Sequence, residues 1–201
     1  MIISHRRKFA FFANLKTGSK AIGALLRSCG DFNQSDICAR QPYASTRTVE
    51  IYHPGHNVEL IDARSDMSLI HFTPTEAIEN ALITLEQLRE YKCFALFRDP
   101  EARHYAIQLA ALRHDPHDPG DNFRHLQFRW FEVDGEQVVT ALNFTDWDAS
   151  VKTIMKAAGI ENCPVPLMRE KSLANTPGCR EYKRSDYGPD LQFQHKQNWT
   201  I

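Results

Sequence analysis

Two segments of this chain run from a block of consecutive apolar residues straight into small and cationic ones. The first is Lys8-Phe9-Ala10-Phe11-Phe12-Ala13-Asn14-Leu15-Lys16-Thr17-Gly18-Ser19-Lys20, and the second is Cys93-Phe94-Ala95-Leu96-Phe97-Arg98-Asp99-Pro100-Glu101-Ala102-Arg103. A strand with one face in water alternates apolar and polar residues. An unbroken apolar run belongs to a strand covered on both faces, the pattern of a parallel sheet layered by helices. The abrupt change after each run predicts a loop that opens a helix, where exposed amides and the positive end of the helix dipole receive an anion. In open α/β sheets ligands bind beyond the carboxyl ends of the strands, which is where both loops fall. Two anion loops in one small domain point to a ligand phosphorylated at two places.

The rest of the chain extends this pattern. Behind the first loop, Ala21, Ile22, Leu25 and Leu26 stand at helical spacing, with Gly30 as the stop. Residues 48–52 and 58–61 flank His53-Pro54-Gly55-His56 and predict a small hairpin at the domain edge. A short apolar run at 67–72 leads into a helix capped by Thr73, with Pro74 first and Glu76 closing a capping box. Ile78, Ala81, Leu82, Leu85 and Leu88 would form one apolar stripe on it.

Residues 93–97 predict a third buried strand, and Pro100 opens a helix to about Leu112. Residues 113–122 read as a loop. Residues 127–133 and 137–144 surround Asp134-Gly135, the strongest hairpin signal in the chain. A last helix is expected from about Asp148 to Ala158, stopped by Gly159, and after Pro164 the chain is polar without a long apolar stripe.

No internal repeat or linker divides the 201 residues, so residues 1–201 read as one domain with a core of ordinary size. With 24 basic residues against 25 acidic ones, no global field draws the chain to nucleic acid or to a membrane surface, and anion binding must be local. The apolar run behind His5-Arg6-Arg7-Lys8 is too short for a secretion signal or a membrane span. Five widely spaced cysteines without a CxxC pair predict reduced structural thiols in a cytoplasmic setting, and no catalytic cysteine.

Each loop, by its residues alone, admits two readings. Gly18 lets the backbone approach an anion while Lys16 and Lys20 add charge, or the segment is a plain turn with solvated lysines. It is not a Walker A loop, because Asn14 and Ser19 break that pattern. Arg98 suits bidentate recognition of a phosphate. Alternatively, Asp99 caps the helix while Arg98 and Arg103 pair with carboxylates.

In combination the two loops resemble the sulfotransferases that use 3′-phosphoadenosine 5′-phosphosulfate, especially the branch acting on carbohydrates. In that family a strand followed by Pro-Lys-Thr-Gly-Gly-Thr-Ser-like residues binds the 5′-phosphosulfate, and Leu15-Lys16-Thr17-Gly18-Ser19-Lys20-Ala21 is similar to it. A second strand followed by Arg-Asn/Asp-Pro-x-x-Arg-x-x-Ser binds the 3′-phosphate, and residues Arg98 to Ala106 resemble that motif. His71-Phe72-Thr73-Pro74-Thr75-Glu76-Ala77 resembles the family's His-x-Thr-x-x-Glu-Ala segment. Leu126-Gln127, Asp134-Gly135, Leu142-Asn143-Phe144 to Trp147 look like its later hairpin, and Asn175 matches a C-terminal asparagine. The likeness covers most of residues 8–175 in order, although only the two loops are specific.

The resemblance implies a three-layer P-loop-NTPase-like α/β fold with a central parallel sheet flanked by helices. It also implies transfer of a sulfuryl group to a hydroxyl acceptor on a sugar or glycan, with no metal. Lys16, Thr17, Gly18, Ser19, Lys20, Arg98 and Arg103 would hold the nucleotide donor. Lys16 would stabilise the departing phosphate, and His71 would be the base that deprotonates the acceptor. The departures are Lys20 and Ala21 in place of hydroxyl residues, Ala106 in place of the serine that closes the second motif, and no long terminal helix. They keep open a rival reading, a nucleotide-binding or interaction module without transfer activity. A small kinase is a further rival, weakened by the incomplete Walker A loop and the lack of a carboxylate pattern for Mg²⁺.

Other constellations carry less. His53/His56 and His114/His117 have ligand-like spacing but lie in Pro/Gly loops without a third partner, and Asp115, Asp118 and Asp121 lack EF-hand spacing. Tyr43, Tyr52, Trp130 and Phe131 would either line an acceptor groove or pack as ordinary strand residues, the second being favoured. By position, residues 31–66 and 113–126 are expected to contact the acceptor.

Overall fold

The computed structural model describes residues 1–30, 37–40, 48–51, 59–62, 71–114, 126–161, 165 and 183–199. Its elements are β1 (Ile2–Ser4), β2 (Phe9–Phe11), α1 (Ser19–Gly30), β3 (Ile37–Arg40), β4 (Thr48–Ile51), β5 (Glu59–Asp62), α2 (Pro74–Glu79), α3 (Leu85–Glu90), β6 (Lys92–Phe97), α4 (Pro100–His114), β7 (Glu132–Val133), β8 (Glu136–Gln137), β9 (Thr140–Asn143), α5 (Trp147–Ala157) and α6 (Gly188–Lys196). Seven strands form one sheet in the order β5-β4-β3-β1-β2-β6-β9.

The fold is mixed α/β, and the sheet has two halves. β2, β6 and β9 are parallel, with Phe11 opposite Phe94 and Leu96 opposite Leu142. β1 is antiparallel to β2 and β3, and β4 is antiparallel to β3 and β5. The expectation of a parallel sheet therefore holds for the half that carries both loops, and it is corrected for the other half. β1 precedes β2 by only a short turn, too short for a crossover, so the two can only pair antiparallel.

Consecutive apolar residues pay off on both faces at once. Phe9, Phe11, Ala13, Phe94 and Leu96 join Ile22 and Leu26 of α1 and Val151, Ile154 and Met155 of α5. Ala10, Phe12, Cys93, Ala95 and Phe97 join Ala77, Leu82, Ile83 and Leu88 from the α2–α3 region, Phe193 of α6, and Trp130 and Phe131. Helices thus cover both faces of the parallel strands. Trp130 and Phe131 are wholly buried and belong to the packing, not to a groove.

The predicted long helix after Thr73 is two helices. Thr73 caps α2 through the expected box with Glu76, but the chain turns at Asn80. Ala81 takes φ 55°, its N–H bonding Ile78 O (2.8 Å) while Leu82 N–H bonds Ala77 O (2.9 Å). This is a Schellman stop with alanine where glycine is usual. Thr84 then starts α3 with a second box, closed by Gln87.

Three other signals act as read. Asp134 (φ 51°) and Gly135 (φ 81°) form the tight turn between β7 and β8, although the hairpin is shorter than expected, and β9 continues as a parallel neighbour of β6. Gly159 (φ 72°) stops α5. The 48–52/58–61 hairpin appears as β4–β5 at the sheet edge. α4 extends to His114, past its expected end, and the polar tail contributes α6, where no helix was expected. Residues 67–70, 115–125 and 166–182, including Asn175, lie outside the described residues, as do Tyr43, Tyr52, His53, His56 and His117. Among the described residues no helix is long and apolar enough to cross a membrane.

Candidate active site

The parallel pairing of β2 with β6 sends both chain segments out of the sheet at the same end. Phe12 N–H bonds Phe94 O at 2.9 Å, continuing the ladder one step past β2. Asn14, fully buried, then turns the chain. Its Nδ2 donates to Leu96 O (2.9 Å) and to Gln127 Oε1 (3.3 Å). Its carbonyl accepts from the hydroxyls of Thr17 (2.9 Å) and Ser19 (2.8 Å). Lys16 (φ 60°) and Gly18 (φ 74°) are both left-handed, so two of the loop's residues hold a conformation in which only glycine is at ease. Gly18 O accepts from Ala21 N–H at 2.9 Å, which begins α1. The first turn of α1 contains no acidic residue to offset its dipole.

The second loop lies against the first. Gln127, fully buried, grips Arg98 on both sides: its Oε1 accepts from Arg98 N–H (3.0 Å) and its Nε2 donates to Arg98 O (2.8 Å). The Arg98 guanidinium lies 4.7 Å from the centre of the Phe144 ring, and its Nη1 donates to Lys16 O (3.2 Å). Asp99 caps α4 by accepting from Ala102 N–H (2.8 Å). Arg103 is 1% exposed and donates from Nε to Leu15 O at 2.9 Å. Both arginines therefore reach carbonyls of the first loop. Arg98 is partly exposed and remains at the surface of the site, whereas Arg103 supports the loop from beneath.

His71 joins the same place from the opposite direction, immediately before α2. Its Nδ1 donates to Ala13 O (2.5 Å), which leaves Nε2 with the lone pair. Burial lowers its pKa to about 4; the Ala13 carbonyl opposes this, while the terminal amino group, Lys20 and Lys16 lower it further by charge. At neutral pH the ring is therefore unprotonated. Lys16 is half-buried and Lys20 is exposed.

Thr17 and Ser19 are buried with their hydroxyls turned inward, so what this loop offers a ligand is backbone and lysine. Ala106 is half-exposed on α4. Cys93, buried in β6, has its thiol pushed up to about 12 by burial and is no nucleophile. Among the described residues no three His, Cys, Asp or Glu side chains gather as a metal site.

Three supporting residues were not among the expected site residues. Asn14 is a lone polar residue ending an apolar run, Gln127 lies 113 positions away from it, and Asp190 follows Gly188-Pro189 in the polar tail. Only the folded chain brings them together. No family model, no curated protein and no solved structure matches this chain.

Proposed function

We propose that the chain is a sulfotransferase that moves the sulfuryl group of 3′-phosphoadenosine 5′-phosphosulfate to a hydroxyl acceptor on a carbohydrate, in a P-loop-NTPase-like fold of a cytoplasmic protein. The observation that carries this reading is the meeting of three separate segments. The loop 13–20, the loop 98–99 and His71 share one end of the parallel strands, joined by bonds to Ala13 O and Lys16 O.

The donor supplies the sulfuryl group and a phosphate that departs with the bond electrons. The 5′ end fits the amides at the start of α1, where Gly18 permits close approach and Lys16 and Lys20 bring two positive charges. Arg98 would pair with the 3′-phosphate, without the hydroxyl that Ala106 lacks. Arg103 fixes the loop. Lys16 balances charge on the departing oxygen. His71 Nε2 takes the proton of the acceptor hydroxyl as that oxygen bonds to sulfur.

A second reading, nucleotide binding without transfer, is favoured by the inward-turned hydroxyls of Thr17 and Ser19. Labelled donor and a panel of sugars and simple alcohols separate the two. Wild-type protein should transfer sulfate without Mg²⁺, which also separates it from a kinase. His71→Ala should lower turnover by about 10²–10⁴-fold while binding of adenosine 3′,5′-bisphosphate stays within about twofold of wild type. Binding with no turnover on any acceptor would favour the second reading, and unchanged turnover in His71→Ala would remove His71 from the chemistry.

A further inference from the structure

The main-chain ladder between β2 and β6 ends where Phe12 N–H bonds Phe94 O at 2.9 Å. Beyond it the two loops are spaced by side chains, and one residue that belongs to neither loop joins both. Gln127 is wholly buried at the start of the 3-10 turn Gln127–Trp130. That turn is seated independently of the loops. Trp130 and Phe131 are wholly buried, Phe128 N–H donates to Asp190 Oδ1 (2.9 Å), and Phe131 O accepts from Val138 N–H (3.0 Å) and Val139 N–H (3.1 Å).

The partners of Gln127 dictate its residue type. Arg98 N–H can only donate and Arg98 O can only accept, so Oε1 faces the first (3.0 Å) and Nε2 the second (2.8 Å). This orientation leaves the other lone pair of Oε1 for Asn14 Nδ2 at 3.3 Å. Asn14 in turn holds the first loop, through Leu96 O on one side and through the Thr17 and Ser19 hydroxyls on its own carbonyl. An ionised glutamate has no donor for Arg98 O, and asparagine is one methylene too short for the same three bonds. The circuit closes above, where Arg98 Nη1 donates to Lys16 O at 3.2 Å.

We propose that Gln127 is a positioning residue that sets the distance between the two anion loops, and with it the spacing of the two phosphates that the site accepts. Being wholly buried, it acts only through Asn14 and Arg98. A ligand carrying both phosphates gains over a ligand carrying one only while the two sites stand at its own spacing. The nature of that ligand rests on the sulfotransferase reading, whereas the coupling between the loops does not.

Calorimetric titration of the full chain with adenosine 3′,5′-bisphosphate, 5′-AMP and 3′-AMP reads the spacing. Gln127→Met, of similar length but without hydrogen-bonding groups, should lose about 10-fold for the bisphosphate. Each monophosphate engages one loop and should stay within about twofold of wild type. Phe193→Leu, which removes no hydrogen bond, should leave all three affinities unchanged. Equal losses for all three ligands in Gln127→Met would mean that Gln127 only stabilises the fold, and an unchanged bisphosphate affinity that it sets no spacing. Either result overturns the proposal.

Hydrogen exchange of the ligand-free full chain tests the coupling without a nucleotide. Gln127→Met should raise exchange by about 10-fold at residues 15–20 as well as at 98–99. A rise confined to 98–99 and 126–131 would refute the coupling. Wild-type protein that does not bind the bisphosphate would sink the sulfotransferase reading and leave the exchange result to decide whether Gln127 joins the loops. Should Gln127→Met fail to fold, Gln127→Asn keeps an amide in the turn and is read by the same outcomes in both measurements.

Discussion

His71 shows how one side chain acquires a protonation state from its surroundings. Its ring is 8% exposed, donates to Ala13 O and lies near two lysines, and its pKa falls from 6.5 to about 4, chiefly through burial. The unfolded chain takes up this proton as pH drops through about 6.5, and the folded chain only near 4. Stability therefore declines across that interval and levels off below it, by up to about 3 kcal/mol from this group. His71→Asn keeps a donor for Ala13 O and removes the titration. Urea unfolding at pH 7 and at pH 4.5 should show a smaller acid-induced loss in His71→Asn than in wild type; equal losses would mean that the buried ring does not carry the effect. The residue type and its place before Thr73 were legible in the sequence. Its environment was not, because Ala13 lies 58 positions away.

Elements were most legible where a local bond decides them. The Thr73–Glu76 box, the Asp134-Gly135 turn and the Gly159 stop each depend on residues within a few positions, and each stands where it was read. The helix after Thr73 was misread because its apolar stripe continues through Ala81, Leu82, Leu85 and Leu88. In the structure Leu82 is buried from the Schellman stop that ends the first helix, and Leu88 from a second helix that starts after Thr84. Periodicity cannot see such a break when the stop residue is alanine.

The same feature yields a test. Ala81 is exposed at φ 55°, a conformation that costs an L-residue about 1–2 kcal/mol. Ala81→Gly should raise stability by about 1 kcal/mol, read as a higher urea midpoint at unchanged slope. In a continuous helix the same change would lower stability by about as much, so a loss would restore the single helix.

Across the whole molecule, apolar runs correctly marked the strands that carry both faces of the core. They did not reveal that β1, β3, β4 and β5 continue the sheet antiparallel, since pairing direction depends on how the chain returns and not on the composition of a strand. Nor did they reveal the tail. Phe193 stacks on Phe131 (centroids 4.8 Å apart) and packs against Phe97 (5.6 Å), although α6 has no long apolar stripe. Phe193 seats this short helix together with the Asp190–Phe128 and Tyr187–His104 bonds, none of which shows as a periodic stripe. Phe193→Ala should therefore cost about 3–5 kcal/mol of stability, measured by denaturant unfolding. A change below about 1 kcal/mol would mean that the tail does not belong to the core.

The central claim is that the two loops together recognise a nucleotide with phosphates at both ends of its ribose. Arg98 divides that claim most cleanly, because it touches the first loop through Lys16 O yet stands on the second. Calorimetric titration of wild type and Arg98→Ala with adenosine 3′,5′-bisphosphate and with AMP tests it. Wild type should bind the bisphosphate more tightly than AMP. Arg98→Ala should lose about 10–100-fold for the bisphosphate, the energy of a charged phosphate contact, and far less for AMP. Equal affinity of the wild type for both ligands, or equal losses in the variant, would contradict the account.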